Sequence, residues 1–215
     1  LTLGLGFPKK IRVSLKNMME NIIMGMEFDP MEAVLRHKEG IDVIPSNKML
    51  TGTDLSLITV ENREKVLKEY LELLEDNYDY IIIDCPPSLN MLTINAMTTA
   101  NTVLVPIQCE YYALEGLSQV LKTVNLVQKK LNPALEVEGV VFTMYDSRTN
   151  LSLEVVENVK EHLNENIYKT IIPRNVRLAE APSYGMPINL YDSRSSGAES
   201  YRLLAAEVIS RGEEL

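Results

Sequence analysis

Short apolar runs that suit buried strands alternate along this chain with segments of helical periodicity, and that alternation limits the possible folds more than any other feature. Ile41–Ile44 and Tyr80–Asp84 are two such runs, followed by residues 102–107 (Thr-Val-Leu-Val-Pro-Ile), 138–144 and 170–173. Between them, residues 61–76 carry Val66, Leu67, Tyr70, Leu71, Leu73 and Leu74 in an amphipathic helical pattern. Residues 111–131 predict a long helix stopped by Asn132-Pro133, and residues 150–166 another with Asn150 or Ser152 as N-cap. A last helix is expected over residues 198–210, with Tyr201, Leu204, Ala205 and Val208 packed on the sheet. Strands and helices in this order imply the α/β class, a mostly parallel sheet with helices on both faces. Ligands of such sheets sit at the carboxyl ends of the strands. The rule directs attention to Asp84, to Gln108-Cys109-Glu110, to Tyr145-Asp146 and to Pro173-Arg174-Asn175.

Composition removes several function classes. Thirty acidic against twenty-one basic residues give a net charge of −9 over 215 residues, which excludes a generally basic nucleic-acid coat but leaves room for a local basic patch. No apolar run approaches the roughly 20 residues of a bilayer span, and no secretory signal opens the chain. Cys85 and Cys109 have neither CxxC spacing nor a nearby histidine pair, so a metal site of their own is disfavoured and a reduced interior fits. Cys109 reads as a buried thiol, Met18, Met19, Met24 and Met26 as core filling, and His37 and His162 as residues of solvated helix faces.

The strongest local signal is Tyr78-Asp79-Tyr80-Ile81-Ile82-Ile83-Asp84-Cys85-Pro86-Pro87. An apolar run there delivers a carboxylate to the ligand edge of a sheet, and two prolines set the exit turn. A carboxylate so placed holds Mg²⁺ through water beside a nucleotide phosphate, the Walker B role, or is simply a solvent-facing Asp at a turn. Its natural companion is a glycine-rich loop ending in lysine, yet none of the ten glycines is followed by lysine. Gly4-Leu5-Gly6 reads as a plain loop.

Asp84-Cys85-Pro86-Pro87-Ser88-Leu89 resembles the Walker B segment of the ParA/Soj-type partitioning ATPases. The resemblance continues through Val105-Pro106-Ile107-Gln108-Cys109-Glu110-Tyr111-Tyr112-Ala113-Leu114-Glu115-Gly116-Leu117 and Thr143-Met144-Tyr145-Asp146-Ser147-Arg148-Thr149. It includes Ile172-Pro173-Arg174-Asn175-Val176-Arg177-Leu178-Ala179-Glu180-Ala181-Pro182-Ser183 and Gly197-Ala198-Glu199-Ser200-Tyr201. Residues 1–77 match more loosely. The family's P-loop, its signature lysines and its first-switch aspartate would precede Leu1. The resemblance therefore implies a single ParA-like domain over 1–215, P-loop NTPase-like but N-terminally incomplete, without its first strand, P-loop, first helix and second strand.

The same resemblance implies roles for individual residues. Asp84 would be the catalytic Walker B acid holding Mg²⁺ through water. Pro173 and Asn175 would border the adenine of ATP, with Tyr145 and Asp146 shaping the base pocket; Pro173 as a strand end and Asn175 as a helix cap remain open alternatives. Arg148 and Arg177 would contact DNA without sequence preference, or else form surface salt bridges, with Lys169, Arg174 and Arg194 able to extend the patch. The implied function is ATP-dependent homodimerisation, DNA binding and hydrolysis stimulated by a ParB/Spo0J-like partner, in the cytoplasm on the nucleoid. The 215-residue chain itself is expected to show negligible turnover. A non-catalytic pseudo-ATPase module and a MinD-like ATPase are the alternatives. Membrane docking is disfavoured by the acidic end Arg211-Gly212-Glu213-Glu214-Leu215.

Overall fold

The structure, a computed structural model, describes residues 1–86, 88–163 and 166–212, without the side chains of Thr51, Asp54, Leu55 and His162. The exit turn at Pro87, the far end of the helix expected to reach residue 166, the setting of His162 and the acidic end Glu213–Leu215 fall outside what it describes. The chain forms two compact units. One comprises residues 1–3, 7–101 and 127–135; the other comprises residues 4–6, 102–126 and 136–215.

The first unit is mainly helical. Helix α1 (Leu15–Met24) buries Met18 and Met19 and stops at Gly25, whose φ of 61° is the left-handed conformation a helix end requires. A two-residue antiparallel pair follows, β1 (Leu35–Arg36) with β2 (Asp42–Val43). Then come α2 (Thr53–Leu57), α3 (Val66–Leu71) and α4 (Met91–Thr99). Met18, Met19, Leu57, Val66, Leu67, Tyr70, Leu71, Leu74 and Ala96 form the core. Buried Asn95 ties α4 to the start of α3. Its Oδ1 accepts from Leu67 N at 3.1 Å, and its Nδ2 donates to the Arg63 and Met91 carbonyls. Both amide hydrogens and the carbonyl oxygen are thus engaged where an orphan would be costly.

Three expectations fail in this unit. Met24, the last residue of α1, and Met26, just beyond it, are both exposed. His37 lies on no helix; it sits in the turn between β1 and β2, edge-on to Phe7. The run Tyr80–Asp84 joins no ladder, and Ile82 is 89% exposed while Ile83 packs on the core. An apolar run becomes a strand only when a neighbouring strand offers hydrogen bonds, and among the described residues of this unit the paired strands are two residues long.

The second unit carries the parallel sheet. Strands β3 (Thr102–Gln108) and β4 (Glu136–Thr143) pair in parallel from Thr102↔Glu136 to Gln108↔Thr143. Helix α5 (Ala113–Lys130) lies between them in sequence, and α6 (Asn150–His162) follows β4. Single parallel bridges, Val140↔Ile167 and Tyr145↔Pro173, carry the pairing beyond β4. The expected strand over 170–173 is thus reduced to a bridge. Short helices α7 (Val176–Glu180) and α8 (Ile188–Tyr191) lead to the long α9 (Ser196–Gly212).

Alternation along the strands separates two cores, as the pleat requires. Val105, Ile107, Val140 and Phe142 pack with Leu117 of α5 and Val155, Val156 and Val159 of α6. Val141, with Tyr168 and Ile172, packs with Leu104, Leu178 of α7 and Leu204 and Val208 of α9. Helices therefore cover both faces of this sheet, the α/β arrangement expected. Tyr201 and Ala205 are exposed, so only half of the expected apolar face of α9 is used. Glu207 fastens α9 instead, accepting from Lys169 N, Thr170 N and Thr170 Oγ1 at 2.8–2.9 Å.

Candidate functional site

Asp84 ends the unpaired isoleucine run of the first unit. Its carboxylate is 64% exposed, and Oδ2 lies 3.8 Å from the amino group of Leu1. Ile83 anchors the segment on the core from one side. On the other, Asn90 caps α4, its Oδ1 accepting from Thr93 N at 3.1 Å, and Thr93 Oγ1 donates to Ser88 O at 2.7 Å. The carboxylate is thus held between two anchored points and faces water.

Cys85 is exposed beside it. Partial desolvation, and then the Asp84 charge, push the Cys85 thiol above its ordinary value. Cys109, buried as expected, is pushed up to about 11 by burial alone. The thiolate is the reactive form, so the neighbouring anion slows Cys85. Asp84→Asn is expected to raise the rate of iodoacetamide labelling at Cys85 about twofold to fivefold near pH 8, the size of one screened charge at close range, while Cys109 stays unlabelled. Labelling followed by mass spectrometry reads both sites. An unchanged Cys85 rate would mean that the carboxylate does not face the thiol.

In the second unit the chain leaves β4 through Met144, whose φ of 54° is unusual for a side chain of that kind. This left-handed step turns Tyr145 onto the next segment. Tyr145 N donates to Ile172 O at 3.2 Å, and Arg174 N donates to Tyr145 O at 2.8 Å. The structure thereby brings Tyr145 and Asp146 beside Pro173 and Arg174, as the sequence grouping required. The half-buried Tyr145 ring itself packs on the α5–α6 core. Pro173 is half-buried at the bridge.

Asn175 caps α7: its Oδ1 accepts from Arg177 N at 2.8 Å, and Nδ2 donates to Ser196 Oγ at 2.8 Å. The amide therefore joins the starts of α7 and α9, leaving one N–H and one lone pair free. Next to it Val176 is 66% exposed, an apolar surface the sequence did not single out.

Asp146 is committed to Arg148. The Arg148 Nε and Nη2 donate to its two oxygens at 2.8 and 2.7 Å, and Arg148 N donates to Oδ1 at 3.1 Å. That fork holds the carboxyl well below the usual carboxylate range. A cavity of about 490 Å³ opens at the ends of β3 and β4, bordered by Glu110, Tyr111, Tyr112, Asp146, Ser152 and Arg174 among others. Arg177 is paired as well, with Glu180 at 3.0 Å and Asp192 at 3.4 Å. Both arginines thus form the surface salt bridges that were the alternative to DNA contact, although the sequence did not name the partners: Arg148 and Asp146 meet through a turn, and Asp192 approaches from just after α8.

The sequence profile of the AAA domain family matches residues 1–137. The chain is 59% identical over 174 residues to the sporulation initiation inhibitor protein Soj of Bacillus subtilis, covering 81% of this chain and 69% of that protein. It is 45% identical over 210 residues to the chromosome partitioning protein ParA of Caulobacter vibrioides, covering 97% and 78%. Among solved structures it is similar to cobyrinic acid a,c-diamide synthase from Mycobacterium smegmatis with bound ADP and magnesium, at 34% identity and a TM-score of 0.82, over 99% of this chain and 78% of that one.

Proposed function

Because the chain belongs to the ParA/Soj family of chromosome-partitioning ATPases, we propose that it supplies the magnesium-side and base-side parts of an ATP site and a surface for DNA. What supports the reading above all is the 59% identity to Soj over 174 residues. Among the described residues no group of three or more His, Cys, Asp or Glu side chains could hold a metal ion. Asp84 suits Mg²⁺ only as a single carboxylate acting through water, the other positions falling to phosphate oxygens and water, which is how this ion is usually held beside nucleotides. Bound there, Mg²⁺ would neutralise charge developing on the phosphates.

Pro173 and exposed Val176 offer the apolar contact that a purine face needs, and Asn175 keeps one amide hydrogen for a ring nitrogen. Tyr145 acts through its backbone, by holding this loop, and Asp146 by fixing the turn after β4. The lysine-bearing phosphate loop is supplied by residues outside these 215. ATP binding then drives homodimerisation, and a ParB-like partner stimulates hydrolysis. No described helix is long and apolar enough to cross a membrane, and we place the protein in the cytoplasm, on the nucleoid.

Arg148 and Arg177 are the DNA contacts of this reading. Both guanidinium groups reach solvent, with side chains 85% and 50% exposed. Binding carried by few phosphate contacts on a chain of net charge −9 is weak and steeply salt-dependent. At low ionic strength Arg148→Ala and Arg177→Ala are each expected to weaken retention of a mixed-sequence duplex about threefold to tenfold. Melting temperatures should hardly move, since exposed ion pairs contribute little to stability. Gel retardation measures the first and thermal unfolding the second; two variants that bind like the parent would end the DNA assignment.

A further inference from the structure

Arg177 is held by carboxylates of its own unit. Nη1 donates to Glu180 Oε2 at 3.0 Å, and Nε lies 3.4 Å from Asp192 Oδ2. The Tyr191 hydroxyl donates to the same Glu180 oxygen at 3.0 Å, and its ring stacks on Tyr184 with centroids 5.1 Å apart. Glu180 is therefore oriented from a second side and does not depend on the arginine for its place. Asp192 comes from another element, just after α8, so two separate pieces of chain converge on one guanidinium.

A guanidinium presents a planar fork of N–H donors, and carboxylate or phosphate oxygens satisfy it alike. Here the oxygens in the fork belong to the protein, although half of the Arg177 side chain stays open to solvent. Exposed pairs of this kind are weak and screened by salt, so an external phosphate can replace the carboxylates. The exchange leaves two anionic side chains facing an anionic ligand.

We propose that Glu180 and Asp192 are positioning residues that compete with DNA phosphate for Arg177. They keep the fork extended and release it only to a duplex that offers several phosphates at once. The inference rests on the reading of Arg177 as a DNA contact and adds its regulation. It makes the two acids, not the arginine alone, set the affinity of this part of the surface. Isolated phosphate or a short nucleotide, which brings one group and no neighbours, gains little against two tethered carboxylates whose effective concentration is high.

The test is a double-mutant cycle on the full chain, with a mixed-sequence duplex followed by fluorescence anisotropy at low ionic strength. Glu180→Gln/Asp192→Asn in the parent is expected to tighten binding roughly fivefold, about the free energy of one exposed ion pair. In an Arg177→Ala background the same neutralisation is expected to change binding less than twofold, because no fork is left to release. Equal tightening in both backgrounds would be a net-charge effect and would overturn the competition, while leaving Arg177 as a DNA contact. No tightening in either would overturn it too. If Arg177→Ala alone binds DNA like the parent, the underlying assignment falls, and the competition with it. The single variants Glu180→Gln and Asp192→Asn, each checked for an unchanged melting temperature, repeat the comparison should the double variant fold poorly.

Discussion

The 215-residue chain is expected to release phosphate from ATP no faster than buffer does. Phosphoryl transfer is catalysed almost entirely by positioning and by neutralising charge on the transferring group. None of the chain's ten glycines precedes a lysine, the pair that ends a phosphate-cradling loop of the usual kind. Asp84, proposed as the magnesium-side acid, is a solvent-facing carboxylate. In comparable sites the loss of one preorganised donor slows turnover about a hundredfold to a thousandfold. Losing a lysine and several backbone N–H groups together removes more than an assay can detect. Colorimetric phosphate release is sufficient, and turnover comparable to that of a full-length relative would refute the division of the site described above.

Gly139→Ala is expected to be among the most destabilising single-methyl changes in the second unit. A Cβ at this position would lie 2.5 Å from Asn166 O and 2.8 Å from Tyr168 Cε2. The first is a backbone atom and already accepts a hydrogen bond from Val140 N at 2.7 Å, while Tyr168 N donates to Val140 O at 2.9 Å. Making room would pull this segment off β4 and disturb Tyr168, whose ring is fully buried, whose hydroxyl donates to Glu138 and over which Arg211 stacks at 3.9 Å. Overpacking of this kind costs about 3 kcal/mol or more when backbone must move. Gly197→Ala is the useful contrast. Its Cβ would meet Leu178 Cγ at 2.6 Å, a flexible side chain that can turn aside, and about 1 kcal/mol is expected. Urea unfolding of both variants gives the two values; a Gly139→Ala midpoint equal to that of the parent would contradict the close approach.

The elements that the sequence disclosed are those whose periodicity is local and long. Strands β3 and β4, helices α5, α6 and α9, and the helix through Leu67 and Leu71 each repeat their pattern over enough residues to declare themselves. The run ending at Asp84 has the pattern of a strand and none of its pairing, because pairing depends on a neighbour that the run cannot encode. Helix α1 went unrecognised although its pattern was present: Leu15, Met18, Met19, Ile22 and Ile23 recur at helical spacing and all reach the core. Of the site, the sequence located Tyr145, Asp146, Pro173 and Asn175 at strand ends, and the backbone bonds between Tyr145 and residues 172 and 174 bring them together. It did not disclose that Asp146 is spent on Arg148, that Asn175 joins α7 to α9, or that Asp192 reaches Arg177. Those are tertiary or turn-dependent contacts, invisible to spacing.

The central claim is that Asp84 is the magnesium-side acid of a site completed by a phosphate loop from outside these residues. Joining a family phosphate loop with its flanking strand and helix ahead of Leu1, and measuring ATP hydrolysis with and without Asp84→Asn, tests this most directly. The expected result is turnover in the joined protein that falls at least about a hundredfold on substitution, the size of one lost charge-stabilising group. Turnover that survives Asp84→Asn unchanged would contradict it.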